Sequence, residues 1–348
     1  LRRTDVEEIF IEGGRVSYLD NLGRLRGLDQ PTSEPENRHV VDRLLAETDR
    51  RLDASAPIVQ ARVLDGSARL TAVISPIADQ LSATVRRYAL RRETLASLVE
   101  LGSLTVPAAG LLAMAMRTTA SFLISGPPGS GKTSLLAAMI HAVPSSQCIR
   151  CCEEVRELHV PMVHGSYYEA RPPSLDGRGE VSLRDLVKVI LAMRPDRIVV
   201  GEVRGAEAFE LTRAVNAGCG FGCTIHANSA RDALNALVNA AMMAGENVAE
   251  PVVRRVFAAS LDFVVHLDRD ATGTSDGPVR RQVVEILALV PSLHHDFSTQ
   301  PIFTRPRLGA PLEWTGALPP EDVTQRIDRV LPLGLGLRDL LEGRTSVL

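Results

Sequence analysis

The chain has 348 residues, of which 45% are hydrophobic and 23% charged, and its formal net charge at pH 7 is −3. This length and apolar content allow two globular domains with buried cores. The slight negative charge argues against a dedicated nucleic-acid-binding protein, which usually carries a basic surplus. No uncharged run of about 18 apolar residues is present, so we expect no membrane-spanning helix.

The cysteines and the start of the sequence bear on the cellular compartment. No secretory signal is visible, and the five cysteines are an odd number. Both features predict a cytoplasmic protein with reduced thiols. Cys148 and Cys151 have the spacing of a metal-binding pair, but they lie in an apolar stretch and no second pair follows. A structural zinc site, which needs four ligands, is therefore disfavoured.

Residues 1–95 predict a smaller α+β domain. Short apolar runs predict the following strands: Val6–Phe10, Arg15–Leu19, Ile58–Val63, Leu70–Ile74 and Thr84–Tyr88. The turn Asp65-Gly66-Ser67 indicates a hairpin between two of them. A loop over Asp29–Asn37 and a helix from about His39 to Arg51 are expected. Residues 96–108 are expected to be a linker and the first helix of a second domain.

Strands and helices alternate over residues 109–290, the second predicted domain. The predicted strands are Ser121–Ser125, Gln147–Cys152, Arg197–Gly201 and Gly222–Ile225, and helices are predicted near Lys132–Val143, Ser182–Arg194, Glu207–Ala217 and Ser229–Ala244. This alternation predicts a mostly parallel sheet covered on both faces.

The last predicted segments are less regular. Asp270–Gly277 is expected to be a turn between strands at Phe263–Leu267 and Val283–Leu289. Residues 291–348 are expected to form a partly irregular tail with a small helix near Pro320–Val330. The Pro and Gly content of this tail gives no clear helix or strand period.

Residues 126–133 match the phosphate-binding pattern G-x-x-x-x-G-K-[ST] between a predicted strand and a predicted helix. Glycines let backbone N–H groups surround phosphate oxygens, and the helix N-terminus favours the same anion. Lys132 is expected to bind the β- and γ-phosphates of ATP, and the Thr133 hydroxyl to coordinate Mg²⁺. The predicted nucleotide-binding residues are Gly126, Pro127, Pro128, Gly129, Ser130, Gly131, Lys132, Thr133 and Ser134.

Polar residues follow the neighbouring predicted strands at the edge where ligands bind in parallel sheets. They are Glu153, Glu154, Glu202 and His226. Glu202 suits the role of holding Mg²⁺ through water or polarising the attacking water, and Glu153 or Glu154 could serve the metal or act as base. His226 could donate to the γ-phosphate. For each acid, a solvated or structural carboxylate is the alternative, and a single histidine is more often structural.

Four arginines near these residues in sequence are candidates for stabilising the transition state of phosphoryl transfer. They are Arg171, Arg194, Arg197 and Arg204. Such cations act within one chain or come from a neighbouring subunit. Of these, Arg194 and Arg204 are predicted to be catalytic and Arg171 to bind nucleotide.

These motifs resemble the ATPases of type II and type IV secretion systems, and most closely the CpaF-like motors of Tad (Flp) pili. The similarity is strongest in residues 191–205, which resemble the Walker-B region, and 224–228, which resemble the His box. Residues 153–158 resemble the Asp box, and 169–174 the segment after it. The stretch 56–67 in the N-terminal region also matches.

The resemblance implies a RecA-like P-loop ATPase domain with a smaller PAS-like N-terminal domain, working as a homo-hexameric ring. Glu202 would be the Walker-B acid and Glu154 an Asp-box acid, so that Thr133, Glu154 and Glu202 serve the Mg²⁺. Arg86 and Arg87 of the N-terminal domain would approach the phosphates of ATP. The implied partners are inner-membrane platform proteins, with no direct membrane insertion and no nucleic acid. The implied location is the cytoplasm, peripheral to the inner membrane.

The sequence therefore predicts a motor that hydrolyses ATP to power Tad/Flp-type pilus assembly or protein secretion across the inner membrane. One alternative is an ATPase of DNA transfer or competence, and another is a scaffold that binds ATP with little turnover. Three positions depart from the resembled family, which has Asp, His and Asp where this chain has Glu154, Cys219 and Gln60. These departures suggest a specialised member.

Overall fold

The computed structural model describes residues 3, 5–20, 23–87, 93–173, 177–216, 218–245, 247, 249–270, 279–291 and 296–348. The chain divides into two compact units. Unit 1 comprises residues 1–90, 173–179 and 271–279, and unit 2 comprises residues 91–172, 180–270 and 280–348. Most of the turn predicted at Asp270–Gly277 lies outside the described residues.

Unit 1 is built on an antiparallel sheet with the strand order β3-β2-β1-β6-β5-β4. Its elements are β1 (Val6–Glu12), β2 (Arg15–Asp20), β3 (Leu25–Gly27), α1 (Glu34–Leu45), β4 (Ile58–Val63), β5 (Ala68–Val73) and β6 (Ser82–Arg87). The predicted hairpin is confirmed, since β4 pairs with β5 from Ile58–Val73 to Val63–Ala68. Val41 and Leu45 of α1 are buried with Leu70 and Val85 of the sheet.

Helix α1 begins earlier than predicted. Ser33 and Glu36 form a reciprocal capping box, in which each side chain accepts the other's backbone N–H, and Pro35 occupies the first turn. This arrangement is a strong start signal, but it lies inside the stretch predicted to be a loop. The helix ends at Leu45 rather than near Arg51.

Unit 2 contains the remaining elements. They are α2 (Leu95–Glu100), α3 (Val106–Arg117), β7 (Phe122–Gly126), α4 (Lys132–Ile140), β8 (Ile149–Glu153), β9 (Gly165–Glu169), α5 (Leu183–Leu191), β10 (Arg197–Val200), α6 (Glu207–Asn216), β11 (Gly220–His226), α7 (Ala230–Met242), α8 (Glu250–Ser260), β12 (Phe263–Arg269), β13 (Arg281–Val290), β14 (Ser298–Thr304), β15 (Glu313–Trp314), α9 (Glu321–Asp328) and α10 (Leu337–Leu341).

The strands of unit 2 form one sheet in the order β15-β14-β13-β12-β7-β11-β10-β8-β9. The six strands from β12 to β9 are parallel, as predicted. Side chains alternate between the faces of a strand: Phe122 and Ile124 join a core with α3 and α4, while Leu123 joins a core with α5, α6, α7 and α8. Helices therefore cover both faces.

The C-terminal tail is more regular than the sequence predicted. Strand β14 extends the sheet by pairing antiparallel with β13, and β15 pairs antiparallel with β14. Ile327 of α9 and Leu340 of α10 are buried in the same core as α3, and Arg326 of α9 forms an ion pair with Asp262. The small helix predicted near Pro320–Val330 is confirmed as α9. Strands β14 and β15 and helix α10 were not predicted, because elements this short show no clear periodic pattern.

Helix α3 carries the apolar run at Val106–Met116 and is 12 residues long. A bilayer crossing needs about 20. Among the described residues, no helix combines the length and the apolar character that a membrane crossing requires.

Arg197, one of the four candidate arginines, is buried in the fold and does not lie at the predicted site. It is fully buried at the amino end of β10. Its guanidinium donates to the backbone carbonyls of Ala120 (2.5 Å) and Thr118 (2.6 Å), and burial lowers its pKa to about 10. It thus satisfies carbonyls where α3 leads into β7, at the sheet edge opposite to the one expected to bind phosphate.

Candidate phosphate-binding site

The predicted phosphate-binding loop joins β7 to α4 with a backbone that needs glycine. Gly126, Gly129 and Gly131 have φ angles of 153°, 73° and 96°, which L-residues with a Cβ rarely adopt. A Cβ on Gly126 would lie 2.4 Å from the carbonyl oxygen of Leu267. Gly131 is the N-cap of α4, and Lys132, Thr133 and Ser134 form its first turn.

Lys132 turns back over this loop. Its Nζ donates to the carbonyl oxygens of Gly126 (3.0 Å) and Pro127 (3.1 Å), and the residue is only 6% exposed. Ser130 is fully buried, and its Oγ has no hydrogen-bond partner. A buried hydroxyl without a partner is costly. An ammonium, a buried hydroxyl and a helix N-terminus at one loop make a site that fits a phosphate group.

His226, the last residue of β11, connects Lys132 to Glu202, which follows β10. Its Nδ1 lies 3.0 Å from Lys132 Nζ, and its Nε2 lies 2.6 Å from Glu202 Oε1. An ammonium only donates, so Nδ1 accepts and Nε2–H donates to Glu202. Burial, together with the charge of Lys132, lowers the pKa of His226. The lowered pKa indicates a neutral imidazole, and the two hydrogen bonds place its proton on Nε2.

Arg204 continues the chain of contacts from Glu202 to Glu154. Its Nε donates to Glu202 Oε2 (2.7 Å) and its Nη1 to Glu154 Oε2 (3.1 Å). Glu207 holds the backbone here, because its Oε1 accepts the N–H groups of Arg204 (2.6 Å) and Gly205 (2.9 Å). Four neighbouring parallel strands thus bring Lys132, His226, Glu202, Arg204 and Glu154 into one connected network.

Glu153 is not part of this network, although the sequence placed it among the catalytic candidates. It is 5% exposed, and its Oε2 accepts the backbone N–H groups of Glu157 (3.0 Å) and Leu158 (2.9 Å). Its side chain packs on Gly201, where a Cβ would lie 2.3 Å from Glu153 Cγ. This geometry gives Glu153 the task of holding the segment that carries Glu154.

Two other arginines proposed from the sequence are not brought to the loop within one chain. Arg194 is exposed and precedes β10, which places it at the opposite edge of the sheet. Arg171 follows β9 and pairs with Val181 through backbone hydrogen bonds. Strand β9 lies four strands from β7, about 19 Å at ordinary strand spacing. A catalytic role for Arg194 stays a prediction that requires another copy of the chain.

Arg86 and Arg87 belong to β6 of unit 1. Arg86 Nε lies 3.5 Å from Glu8 Oε1, and Arg87 donates to the backbone carbonyl of Arg3. Their predicted approach to the phosphates of ATP stays a prediction.

Two residues beside the loop were missed by the sequence analysis. The guanidinium of Arg269 packs on Gly129, where a Cβ would lie 2.9 Å from Arg269 Nη1. His266 Nδ1 lies 2.9 Å from the Oγ of Ser125, the residue just before the loop. Both are on β12, which was predicted only as half of a hairpin. The signal was available in principle, because a strand parallel to β7 ends at the same edge.

The oxygen donors at the site suit Mg²⁺ bound together with nucleotide. Among the described residues, no group of three or more His, Cys, Asp or Glu side chains is arranged to hold a metal ion. Mg²⁺ in nucleotide sites does not need one, because phosphates and waters supply most of its ligands. The residues that could hold Mg²⁺ with the nucleotide are Thr133, through its hydroxyl, and Glu202 and Glu154, through their carboxylates.

Comparisons with known proteins identify the family of the chain. The profile of the family "Type II/IV secretion system protein" matches residues 24–283. A putative conjugal transfer protein of Mycobacterium tuberculosis is 37% identical over 279 residues, which cover 78% of this chain and 76% of that protein. The type IV secretion system protein PtlH of Bordetella pertussis is 29% identical over 320 residues, covering 82% and 91%.

Solved structures show the same fold. The pilus retraction motor PilT with bound ADP aligns with a TM-score of 0.58 at 20% identity, covering 80% of this chain and 79% of that one. The Yersinia pseudotuberculosis ATPase DotB aligns with a TM-score of 0.59 at 16% identity, covering 81% and 75%. The chain is a RecA-like P-loop fold with a smaller N-terminal α+β domain, as the sequence predicted.

The pKa of Glu153 makes a prediction about stability. Burial raises this pKa to about 7, above that of an unfolded glutamate, so the folded state holds the proton more tightly. Its contribution to stability is therefore fully present below about pH 4.5 and is lost as the pH rises through about 7. We expect Glu153→Gln, which keeps the accepting oxygen, to remove this loss.

Urea unfolding of wild type and Glu153→Gln between pH 4.5 and 8 measures the effect. The free energy of unfolding of the variant, relative to wild type, should rise across this range. Glu100→Gln, at an exposed helix end, is the control and should show no such rise. Parallel pH profiles for all three proteins would contradict the structural place assigned to Glu153.

Proposed function

Because the chain belongs to the type II/IV secretion system protein family, we propose that it is an ATPase that converts ATP and water to ADP and phosphate. The observation that carries this proposal is the unbroken series of contacts from Lys132 through His226, Glu202 and Arg204 to Glu154. It joins a phosphate-binding lysine to two carboxylates suited to water activation and metal binding.

The loop binds the triphosphate in this proposal. Backbone N–H groups of residues 126–133 and the N-terminus of α4 face the phosphate oxygens, and the Ser130 hydroxyl gains the hydrogen-bond partner that it lacks. Thr133, Glu202 and Glu154 would hold Mg²⁺ here, and the ion would supply positive charge to the phosphate oxygens. Arg269, packed on Gly129, supplies a further positive charge to the outside of the loop.

Phosphate binding also acts on the water-activating carboxylate. The ammonium of Lys132 has three N–H donors. The carbonyl oxygens of Gly126 and Pro127 and the Nδ1 of His226 accept hydrogen bonds from it. An ammonium that turns to the β- and γ-phosphates must give up some of these contacts. His226 is then free to move, and Glu202 Oε1 loses a fixed partner. Glu202 can orient the attacking water and accept its proton at that oxygen.

The finer parts of the function rest on the resemblance to motors of secretion systems and pili. The chain would work as a homo-hexamer in the cytoplasm, peripheral to the inner membrane, and drive Tad/Flp-type pilus assembly or protein secretion through platform proteins. The likeness to a protein named a pilus retraction motor supports a mechanical output. Arg86, Arg87, Arg171 and Arg194 would serve nucleotide sites that the assembly completes.

A second candidate function is DNA transfer. It is favoured by relatives named as conjugal transfer proteins, of which the one from Mycobacterium tuberculosis is 37% identical. The net charge of −3 opposes direct DNA binding, so the motor of a secretion or pilus system is preferred.

The assembly state tests the motor model. We expect hexamers by multi-angle light scattering in the presence of ATP and Mg²⁺, because Arg194, at the edge of the sheet opposite the loop, needs a neighbouring copy to reach a nucleotide. A strict monomer at high protein and ATP concentration contradicts the model but leaves the ATPase proposal standing.

Single-stranded DNA separates the two candidate functions. If the chain drives pilus assembly or secretion, adding single-stranded DNA should leave the rate of ATP hydrolysis unchanged within about twofold. A strong stimulation that fades with added salt, as expected for contacts to phosphates, would move the assignment to DNA transfer.

Two substitutions test the ATPase itself. Lys132→Ala removes the ammonium, and we expect it to abolish nucleotide binding while the fold persists. Glu202→Gln removes the accepting carboxylate but keeps its size, and we expect it to lower kcat about 100-fold or more, in line with loss of a general base, while nucleotide still binds. Binding is measured with a fluorescent ATP analogue and turnover by phosphate release.

The control for both variants is Lys188→Ala, the other lysine of the chain, which lies half-exposed on α5. It should bind and hydrolyse ATP like wild type. Undiminished ATP affinity in Lys132→Ala would refute the site, and unchanged turnover in Glu202→Gln would indicate a nucleotide-dependent scaffold.

A further inference from the structure

His266 is a buried histidine next to the phosphate-binding loop that the proposed mechanism does not use. It lies on β12 and is 6% exposed. In the parallel register of β12 and β7 it stands beside Ser125, and its Nδ1 lies 2.9 Å from the Ser125 Oγ. Ser125 is fully buried and directly precedes Gly126, the first residue of the loop.

The same imidazole reaches a second segment of the site. The backbone of Asn228 lies close enough to the ring to raise the pKa of His266, and a group with this effect on an imidazole is an acceptor, which identifies it as the carbonyl. Asn228 lies two residues after His226 and directly before Ser229, the N-cap of α7. One side chain therefore links β7, β12 and the segment after β11.

The protonation of His266 follows from these contacts. Burial lowers its pKa, so the ring is neutral and carries one N–H. When Nδ1 accepts the hydroxyl proton of Ser125, the single N–H lies on Nε2 and can donate to the Asn228 carbonyl. In this tautomer each ring nitrogen has an available partner.

The charged groups around His266 do not disturb this arrangement. Asp268 and Asp232 face it and raise its pKa, Lys132 lowers it, and burial outweighs all three. Glu285 lies opposite on β13; burial raises the pKa of Glu285, while Arg231 counters that effect. His266 stays neutral because its desolvation dominates.

From this geometry we propose that His266 is a positioning residue that fixes His226 relative to the phosphate-binding loop. Ser125 and Gly126 are consecutive, and Gly126 is the register partner of His226. By holding Ser125 on one side and Asn228 on the other, the imidazole sets the distance at which His226 meets Lys132 and Glu202. The inference rests on the proposed ATPase function for its kinetic consequence.

Three substitutions of His266 distinguish its link to Ser125 from its link to Asn228. Leucine at position 266 removes both. Glutamine reaches as far as Nε2 and keeps the partner of that nitrogen, the Asn228 carbonyl. Asparagine reaches only as far as Nδ1 and keeps Ser125. An exposed histidine of the same unit, His164, provides the matched control His164→Leu.

Steady-state kinetics form the first part of the experiment. We expect His266→Leu to lower kcat for ATP hydrolysis about 10- to 100-fold, as displacement of a catalytic group by about 1 Å does, with KM changed less than about threefold. His266→Gln and His266→Asn should lose less, and His164→Leu should match wild type. Circular dichroism and thermal unfolding establish that each variant is folded at the assay temperature.

Hydrogen exchange forms the second part and does not depend on turnover. In folded His266→Leu, amides of residues 226–229 should exchange at least about tenfold faster than in wild type, because their tie to β12 is gone. Amides of α1, which belongs to the other unit, should be unchanged.

The outcomes separate the two proposals. Faster exchange at 226–229 with an inactive wild type would keep the positioning role and refute the ATPase. A folded His266→Leu with wild-type kcat and wild-type exchange at 226–229 would overturn the inference while leaving the ATPase intact. A lower melting temperature with kcat unchanged would likewise overturn it, since that result describes a purely structural histidine.

Discussion

The ammonium of Lys132 is the interaction on which the rest of the site depends. It sits at the N-terminus of α4, where the helix dipole disfavours a cation, and it is 6% exposed. Two loop carbonyls and the imidazole of His226 hold it there. A buried cation beside a helix N-terminus is stable only with such acceptors and becomes more stable when an anion arrives. These contacts support the proposal that the loop binds phosphate and that phosphate binding moves the lysine.

The parallel sheet explains how distant residues join this cation. The neighbouring strands β7, β11, β10 and β8 all end at one edge, so residues about 100 positions apart come into contact. His226 bridges Lys132 to Glu202, and Arg204 bridges Glu202 to Glu154. Both oxygens of Glu202 are engaged. A single imidazole therefore lies between the lysine and the carboxylate, and in the proposed mechanism it connects nucleotide binding to water activation.

Much of this site could be predicted from the sequence, because its signals are local. The phosphate-binding loop is one continuous motif, and a polar residue at a strand end shows directly in the chain. Which of two adjacent acids faces the site is not local: Glu153 is buried against Gly201, while Glu154 pairs with Arg204. Side chains alternate along a strand, and only the packing of the neighbouring strand decides which of the two points inward.

Other features could not be predicted from the sequence because they depend on the order of the strands in the sheet. Arg269 and His266 reach the loop because β12 lies next to β7. No pattern in the sequence predicts that these two strands are neighbours. Arg194 and Arg197 lie away from the site although they are close to Glu202 in sequence. They stand at the amino end of β10, whereas Glu202 follows its carboxyl end. Strands β14 and β15, helix α10 and the start of α1 were missed for a different reason, since these elements are short or lie within Pro-rich stretches.

A structure of the protein with Mg²⁺ and a non-hydrolysable ATP analogue tests the central claim most directly. The account predicts phosphate oxygens against the backbone N–H groups of residues 126–133, with Lys132 Nζ nearer to them than to His226 Nδ1. Nucleotide bound elsewhere, or phosphates in the loop with the Lys132–His226 contact still at 3.0 Å, would contradict it.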